Sequence, residues 1–482
     1  MSDDGSDRSP SESSTDSGAP TDGAPGTESA DRMDRARGAL DGLRDRTATF
    51  DALLILGAMI GLYGLFAIIG TVLGYPLNGV VALVREVTFF TAVYALVVLA
   101  LNLHWGYAGL FNIGVAGFMA VGAYAFGILA GAPTGSPPGL GLPIAVAVPG
   151  AMLAAALVGL VAALPALRLK ADYLAIVTIA IAEIIRLALA SRVLKPVTGG
   201  GGGFGNFPKN PVRGIFYAGS GTDRTAVGAA VLDAAEGVGV TNPEVVIDLA
   251  YTLLVVGIVA LTYVLLVRIG NSPFGRVLKA IREDELVAES LGKDTRVFKI
   301  KAFMVGCALM GLAGIAWQVY GLGGGNVNPT NNFLPQLTFY IFIALIIGGA
   351  GSNTGSVLGG AMFAGLLFLL PNYVPRVVEQ FVTITARPNT FIDAVAPLAS
   401  LEVMPFLGYA LGNIDQLRFV FVGALLVYLV QRRPEGLLGH RKETASTIDL
   451  SERGRPGDRR GTERGRPAAD GGAGAGGGEP DE

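Results

Sequence analysis

The chain has 482 residues, of which 51% are hydrophobic and 16% charged, with a net charge of -3. Soluble domains carry about 25% charged residues, so the composition excludes an ordinary soluble fold, and the balance lacks the basic footprint of a nucleic-acid-binding protein. One cysteine, Cys307, and two histidines far apart, His104 and His440, exclude an internal disulfide and leave little for a metal site.

Residues 1–50 are rich in Ser, Gly, Pro, Asp, Glu and Arg. Such a segment buries too little to offset its ordering entropy and is expected to be a disordered tail. The first apolar run starts near Ala52, too late and too long for a cleaved leader. A membrane-spanning helix needs about 20 mainly apolar residues. Reading for such runs gives ten segments: Ala52–Leu73, Val80–Leu101, Ala108–Ala130, Pro143–Leu164, Tyr173–Ala190, Val246–Val267, Ala302–Leu322, Leu337–Gly351, Ser356–Leu370 and Leu417–Val430. The last three are short enough to be half-helices or re-entrant. The expected fold is an all-α integral membrane protein with about ten transmembrane segments over 51–436, and a second disordered tail over 437–482.

Basic residues mark the cytoplasmic side of membrane loops. Arg268, Arg276, Lys279, Arg282, Lys293, Arg296, Lys299 and Lys301 lie between the sixth and seventh segments. Alternation from there puts both termini in the cytoplasm. The flanking Arg35, Arg37, Arg44 and Arg46, then Arg168 and Lys170, then Arg432 and Arg433 agree. The long segments 191–245 and 371–416, rich in Gly, Pro, Asn and Asp, then fall outside. Gly109, Gly114, Gly117, Gly122, Gly306, Gly311 and Gly314 suit helices that approach closely.

The cytoplasmic loop 271–301 has its own pattern. Ser272 and Pro273 form a helix start, a cap oxygen followed by a residue with no N–H to satisfy. Phe274, Val277, Leu278 and Ile281 follow at i, i+3, i+4, i+7, which predicts one apolar stripe. Three acids, Glu283, Asp284 and Glu285, precede Leu286, Val287, Ala288 and Leu291, and Gly292 reads as a stop. Periodicity alone leaves a surface-lying linker and a docking element for a soluble partner equally open.

The run Ala280-Ile-Arg-Glu-Asp-Glu285, with Ala288, Leu291-Gly292 and Lys299 to Phe303, resembles the coupling loop of ABC-importer permeases of the branched-chain amino acid (LivM-like) type. Further matches follow in family order. Leu101 to Gly114, running to Phe118 and Gly122-Ala-Tyr124, is similar to a first signature. Leu167 to Thr178, with Glu183 to Arg186, is similar to a second. Thr198-Gly199-Gly200 resembles the start of an outer Gly-rich loop, and Ile347 to Ser352 a late Gly motif. The chain departs from the family at Val115, where a His is frequent, at Leu286-Val287, where the general loop pattern has Glu-Ala, and in a longer loop over about 375–415.

The resemblance implies a permease subunit moving branched-chain or other hydrophobic amino acids, with urea or short amides as the nearest rival cargo. It also implies a second, LivH-like permease, two cytoplasmic ATPase subunits that bind and hydrolyse ATP, and an extracytoplasmic solute-binding protein. This chain itself would bind no cofactor, metal or nucleic acid. An intramembrane enzyme would need a nucleophile–base pair or metal cluster at bilayer depth, and no Ser/His or Cys/His pattern supplies one. A secondary transporter would leave the cytoplasmic loop unexplained.

Several residues are candidates for the translocation path. Glu183 and Arg186 sit at i, i+3 inside an apolar run, where a charge costs at least about 2.5–3.5 kcal/mol. They either face the path as a pair or act as a structural clamp, with Arg186 reaching for the interface. Asp172 beside Tyr173 is either a helix-start acid or a partner contact. Asn112, Gly114, Gly122, Tyr124 and Thr178 are placed on the path, with packing as the alternative. The glycines around Asn112 permit a broken helix of the kind transporters use at the midplane. Thr198, Gly199 and Gly200 belong to an outer loop, because no Gly-Lys-Ser/Thr follows to make a phosphate cradle. His104, beside Trp105, is expected at the membrane interface.

Overall fold

The computed structural model describes residues 25–166, 171–208, 210–219, 223–320, 326–384, 386–433 and 435–438. They are overwhelmingly helical, and among them the β-structure is limited to two isolated bridges, Phe204 with Val327 and Tyr217 with Arg224. In chain order the main helices are α1 (Pro25–Val72), α2 (Leu77–Leu101), α3 (Val115–Ala130), α4 (Ile144–Ala166), α5 (Ala171–Ala190), α6 (Ala226–Gly237) and α7 (Pro243–Asn271). Then come α8 (Pro273–Glu283), α9 (Glu285–Ser290), α10 (Thr295–Tyr320), α11 (Pro335–Gly348) and α12, continuous over Asn353–Phe381. The last are α13 (Phe391–Val395), α14 (Met404–Gly412) and α15 (Ile414–Arg432).

Seven helices are long and apolar enough to cross a membrane: the apolar parts of α1, α2, α4, α5, α7, α10 and α12. The pair α14–α15 passes the same test only when its two helices are taken together across an 83° bend, and α3 and α11 are shorter apolar helices. All ten segments expected from the sequence are therefore apolar helices, with three differences. The segment expected over Ser356–Leu370 is no half-helix, because α12 is 29 residues long and runs through a π-helical turn at Phe363–Leu369. The third segment begins as irregular chain from Gly109, at φ +68°, and is helical only from Val115. Helix α1 starts at Pro25, inside the stretch expected as a tail. Residues 1–24 and 439–482 of the two expected tails lie outside the described residues.

The core is built on α2. Its apolar window is 94% buried, and it packs against α7, α10 and α12, with α1 and α11 beside them. A second group, α3, α4 and α10, packs tightly through small residues. A Cβ on Gly122 would lie 2.3 Å from the Gly311 Cα, and one on Gly117 would lie 2.6 Å from the Ala182 Cα. In lipid, where apolar contact alone gives helices little reason to associate, backbone proximity of this kind supplies the packing. By contrast, the windows of α1 and α5 are each only 17% buried by this chain.

The loops sort into two ends by their contacts. At one end, Arg282 on α8 donates to the Gly106 carbonyl, Asn102 holds Gly351 and Asn353, and the Leu437 and Leu438 amides bond the Ile347 and Gly348 carbonyls. At the other, Asn78 bonds Thr241 at 2.9 Å, Asn206 bonds the Ala132 carbonyl at 2.7 Å, and Phe204 pairs with Val327.

The close approach at Gly122 is testable. Replacing Gly122 with Val should cost about 1–3 kcal/mol as overpacking and lower the melting temperature in detergent. Gly57→Ala, at a site with no atom within 4 Å of an added Cβ, should leave it unchanged. Equal melting of the two variants would contradict the packing.

Candidate functional site

The loop 272–294 folds as two short helices. Ser272 Oγ accepts the Gly275 amide at 3.2 Å, with Pro273 behind it, as the sequence predicts. The element then breaks at Asp284. This residue has extended backbone, and its carboxylate caps α9 by accepting the Leu286 and Val287 amides at 2.9 and 3.1 Å. The acids are thus not one helical run: Glu283 ends α8, Asp284 caps, and Glu285 opens α9. Helix α9 ends in a Schellman turn. The Lys293 amide bonds the Ala288 carbonyl and the Gly292 amide bonds the Glu289 carbonyl, with Gly292 at φ +76°.

The apolar stripe does not face outward. Leu278 and Ile281 are buried against the bundle, Phe274 stacks on Phe298 at 5.4 Å, and Val277 and Ala280 are half-covered. An apolar stripe on a helix bordering a membrane bundle satisfies itself on its own chain first. The outward apolar residues are instead Leu286, Val287 and Leu291, at 74%, 55% and 73% exposure. Ala288, between them, is buried.

Three cations pin this loop to the bundle. Arg282 donates to the Gly106 carbonyl and lies over Gly109, where a Cβ would come 3.2 Å from the Arg282 Cγ. Lys279 is buried with Nζ 5.3 Å from the Tyr107 ring centroid, a cation–π contact. Lys299 on α10 pairs with Glu285 at 2.5 Å. Two of the three reach a π-helical turn, Asn102–Tyr107, that extends α2. Such turns concentrate at functional places in helices.

A buried polar knot joins this turn to the unwound stretch that follows it. His104 is fully buried and stacks on Phe303 with centroids 4.7 Å apart, so the interfacial placement expected from the neighbouring Trp105 is wrong. His104 Nε2 lies 3.0 Å from the Phe303 carbonyl, which can only accept, so Nε2 carries the proton. Nδ1 then accepts from Asn112 Nδ2 at 3.1 Å, and Asn112 Oδ1 accepts the Gly114 amide at 2.8 Å. Thr178 on α5 closes the unwound stretch by accepting the Ile113 amide at 2.9 Å. Gly114 is required there, since a Cβ would lie 2.6 Å from the Thr178 carbonyl oxygen. Asn112, Gly114 and Thr178 therefore meet, as parts of one broken-helix site.

The other candidates are elsewhere. The Tyr124 hydroxyl donates to the Val327 carbonyl at 2.8 Å, tying α3 to the loop between α10 and α11, and Gly122 is a helix contact. Thr198 accepts the Gly200 amide at 3.2 Å, and Gly199 and Gly200 have positive φ. Asn326 and Asn328 donate to the Gly202 and Gly201 carbonyls and hold that glycine loop in place. Glu183 and Arg186 pair on α5 through two hydrogen bonds, 2.8 and 2.5 Å, with side chains 36% and 15% exposed on a helix this chain leaves largely uncovered. Residues 167–170 and the Asp172 side chain lie outside the described residues. Sequence reasoning missed Asn102, whose Oδ1 accepts the Gly351 amide at 2.7 Å. An amide side chain at the end of an apolar run was the available signal.

Fold and site together define a multi-spanning α-helical membrane protein with a structured loop fixed at one end of the bundle. The chain belongs to the family described as the branched-chain amino acid transport system permease component, whose model matches residues 83–386. Its relatives include the high-affinity branched-chain amino acid transport system permease protein LivM of Escherichia coli (strain K12). That protein is 32% identical over 279 residues, covering 58% of this chain and 61% of the relative. The LivM protein of Salmonella typhimurium is 31% identical over 277 residues, with 58% and 61% coverage. A probable LivM protein of Methanocaldococcus jannaschii is 27% identical over 326 residues, with 60% and 82% coverage. The chain thus spans about three-fifths of the two enterobacterial relatives. No solved structure matches.

The charge pair sets the expected mutational signature. Glu183→Ala should impair membrane accumulation or transport more than the double change Glu183→Leu, Arg186→Leu, because one charge left without its partner is the costlier state. Additive effects in a double-mutant cycle would show that the two do not interact.

Proposed function

We propose that this protein is the membrane-spanning subunit of an ATP-driven importer for branched-chain or related hydrophobic amino acids. The supporting observation is the loop 272–294, an apolar platform of Leu286, Val287 and Leu291 on a helix pair fixed to the bundle by Lys279, Arg282 and Lys299. The platform suits a groove on a cytoplasmic ATPase. The basic residues around it support a cytoplasmic position for this end and, by alternation, for both termini. ATP is bound and hydrolysed by two such partner subunits, and this chain contributes no nucleotide site.

Movement of the platform reaches the π-helical turn through Arg282 and Lys279. From there it reaches the unwound stretch through His104 and Asn112, and α5 through Thr178. Helix α5, largely uncovered here, then faces the second permease subunit, and the path runs along it. Glu183 and Arg186 place one charge of each sign on that helix, matching the carboxylate and ammonium of an amino acid. A solute-binding protein delivers cargo to the opposite end, where the glycine loop at 199–203 is held against 326–328. A switch of this kind needs two states with different contacts to the partners.

Two measurements test this reading. Single cysteines at Ser290 and Val238, in a Cys307→Ala background, should label from opposite sides of the cell membrane. Reaction of both with an impermeant reagent added outside would refute the orientation. Leu286→Asp with Leu291→Asp, and separately Gly292→Val, should leave the protein in the membrane. Both should abolish cargo-stimulated ATP hydrolysis by the assembled complex. The first removes the apolar platform. The second forces a β-branched residue to φ +76°, although the space around it is open. Undiminished stimulation in both would remove this loop from the coupling role.

A further inference from the structure

The segment between α12 and α15 lies beyond residue 386, where the family match stops, and none of the functions above uses it. Among the described residues it holds the most exposed large apolar one, Leu401, at 89% exposure and in a left-handed backbone conformation, φ +62°. Ile392 is 76% exposed, and Phe391, Val403, Met404 and Phe406 are also on the surface. Residues 391–406 contain two acids, Asp393 and Glu402, and neither Lys nor Arg.

The segment is folded, with a distinct inner side. Ala394 is fully buried, and Phe391 meets Tyr409 edge-on at 6.1 Å. Gly408 lets α14 sit directly on the preceding strand of chain, where a Cβ would come 2.1 Å from the Ala386 carbonyl oxygen. Thr390 Oγ caps α13 by accepting the Asp393 amide at 3.2 Å. Ile392, Leu401, Val403, Met404 and Phe406 are left on the outer side of this packed unit.

Its depth follows from α15. That helix has 19 residues, which at a rise of about 1.5 Å each is about 28 Å. The hydrocarbon core is about 30 Å thick. The Arg432 end of α15 is fixed at the coupling-loop end of the bundle, because Leu437 and Leu438 bond the last carbonyls of α11. Its start at Ile414 therefore comes to the opposite membrane interface. There the chain turns by 83° into α14, so α14 runs along the membrane plane and not away from it. The apolar surface of α15 itself, at Leu417, Phe419, Val420 and Phe421, is exposed and continues from this element.

We propose that residues 391–412 form a membrane-surface element in the leaflet opposite the coupling loop, with Ile392, Leu401, Val403, Met404 and Phe406 inserted among the lipid acyl chains. Helices in the interface plane insert an apolar face to about 5–10 Å and keep polar groups toward water. With no cation among residues 391–406, the attraction is apolar insertion and not headgroup charge. A second copy of the chain or a partner subunit covering the same face is the competing occupant. The inference needs only that the chain spans a bilayer, so it stands or falls apart from the transport reading.

The test uses the full-length protein with whatever subunits accompany it, in liposomes. Single cysteines replacing Ile392, Leu401, Phe406 or Glu402, in a Cys307→Ala background, carry a bimane label. Lipids with brominated acyl chains should quench bimane at the first three positions, where iodide in the water has little effect. At Glu402 the order should reverse. Iodide quenching at Ile392, Leu401 and Phe406 equal to that at Glu402 would place the segment in water and overturn the proposal. Protection of those three from both quenchers would overturn it in favour of a protein partner.

Discussion

The end of the bundle that carries the loop 272–294 depends on a few hydrogen bonds that cover an interrupted helix among apolar helices. Backbone groups that leave a helix in the hydrocarbon must find partners within the protein. Between Gly109 and Gly114 the chain gives up its regular ladder. Asn112 and Thr178 replace part of it with side-chain oxygens, and His104 holds Asn112 in place. These residues come from three separate parts of the chain, so the unwound stretch also fixes where α5 and α10 stand relative to α2.

The same economy explains the glycines. At Gly114, Gly117 and Gly122 a side chain would strike a neighbouring backbone or its Cβ within 3 Å. Gly348, Gly355 and Gly359 pack one against another in the same way between α11 and α12. The bundle therefore gains contact area through backbone proximity, and it leaves the long apolar side chains for lipid and for partners. Helix α5 is the extreme case, with Ile176, Ile184 and Leu187 directed away from its own chain.

Apolar length was legible in the sequence, and so were the Ser272 cap and the Gly292 turn, because each depends on local chemistry. The Gly109–Gly114 break was legible as a possibility, since glycines flank a buried amide. What the sequence hides is which face a side chain takes once helices assemble. Periodicity leaves the Phe274–Ile281 stripe open between a surface-lying linker and a docking face, and the bundle covers Leu278 and Ile281 and leaves Leu286 and Leu291 outward. His104 reads as interfacial for the same reason: its partner carbonyl, that of Phe303, is 199 residues away. Glu183 and Arg186 were recognisable as a pair because a helix fixes i, i+3 neighbours without help from the fold.

Helix α2 also carries a consequence for how the protein is made. Arg85, in its first half, pairs with Asp248 on α7 at 2.5 Å, across 163 residues of sequence. A ribosome finishes α2 long before it makes that carboxylate, and the helix becomes the most deeply covered of the long apolar helices described. The cover over α2, which comes from α7, α10 and α12, is therefore complete only once the later helices have been made.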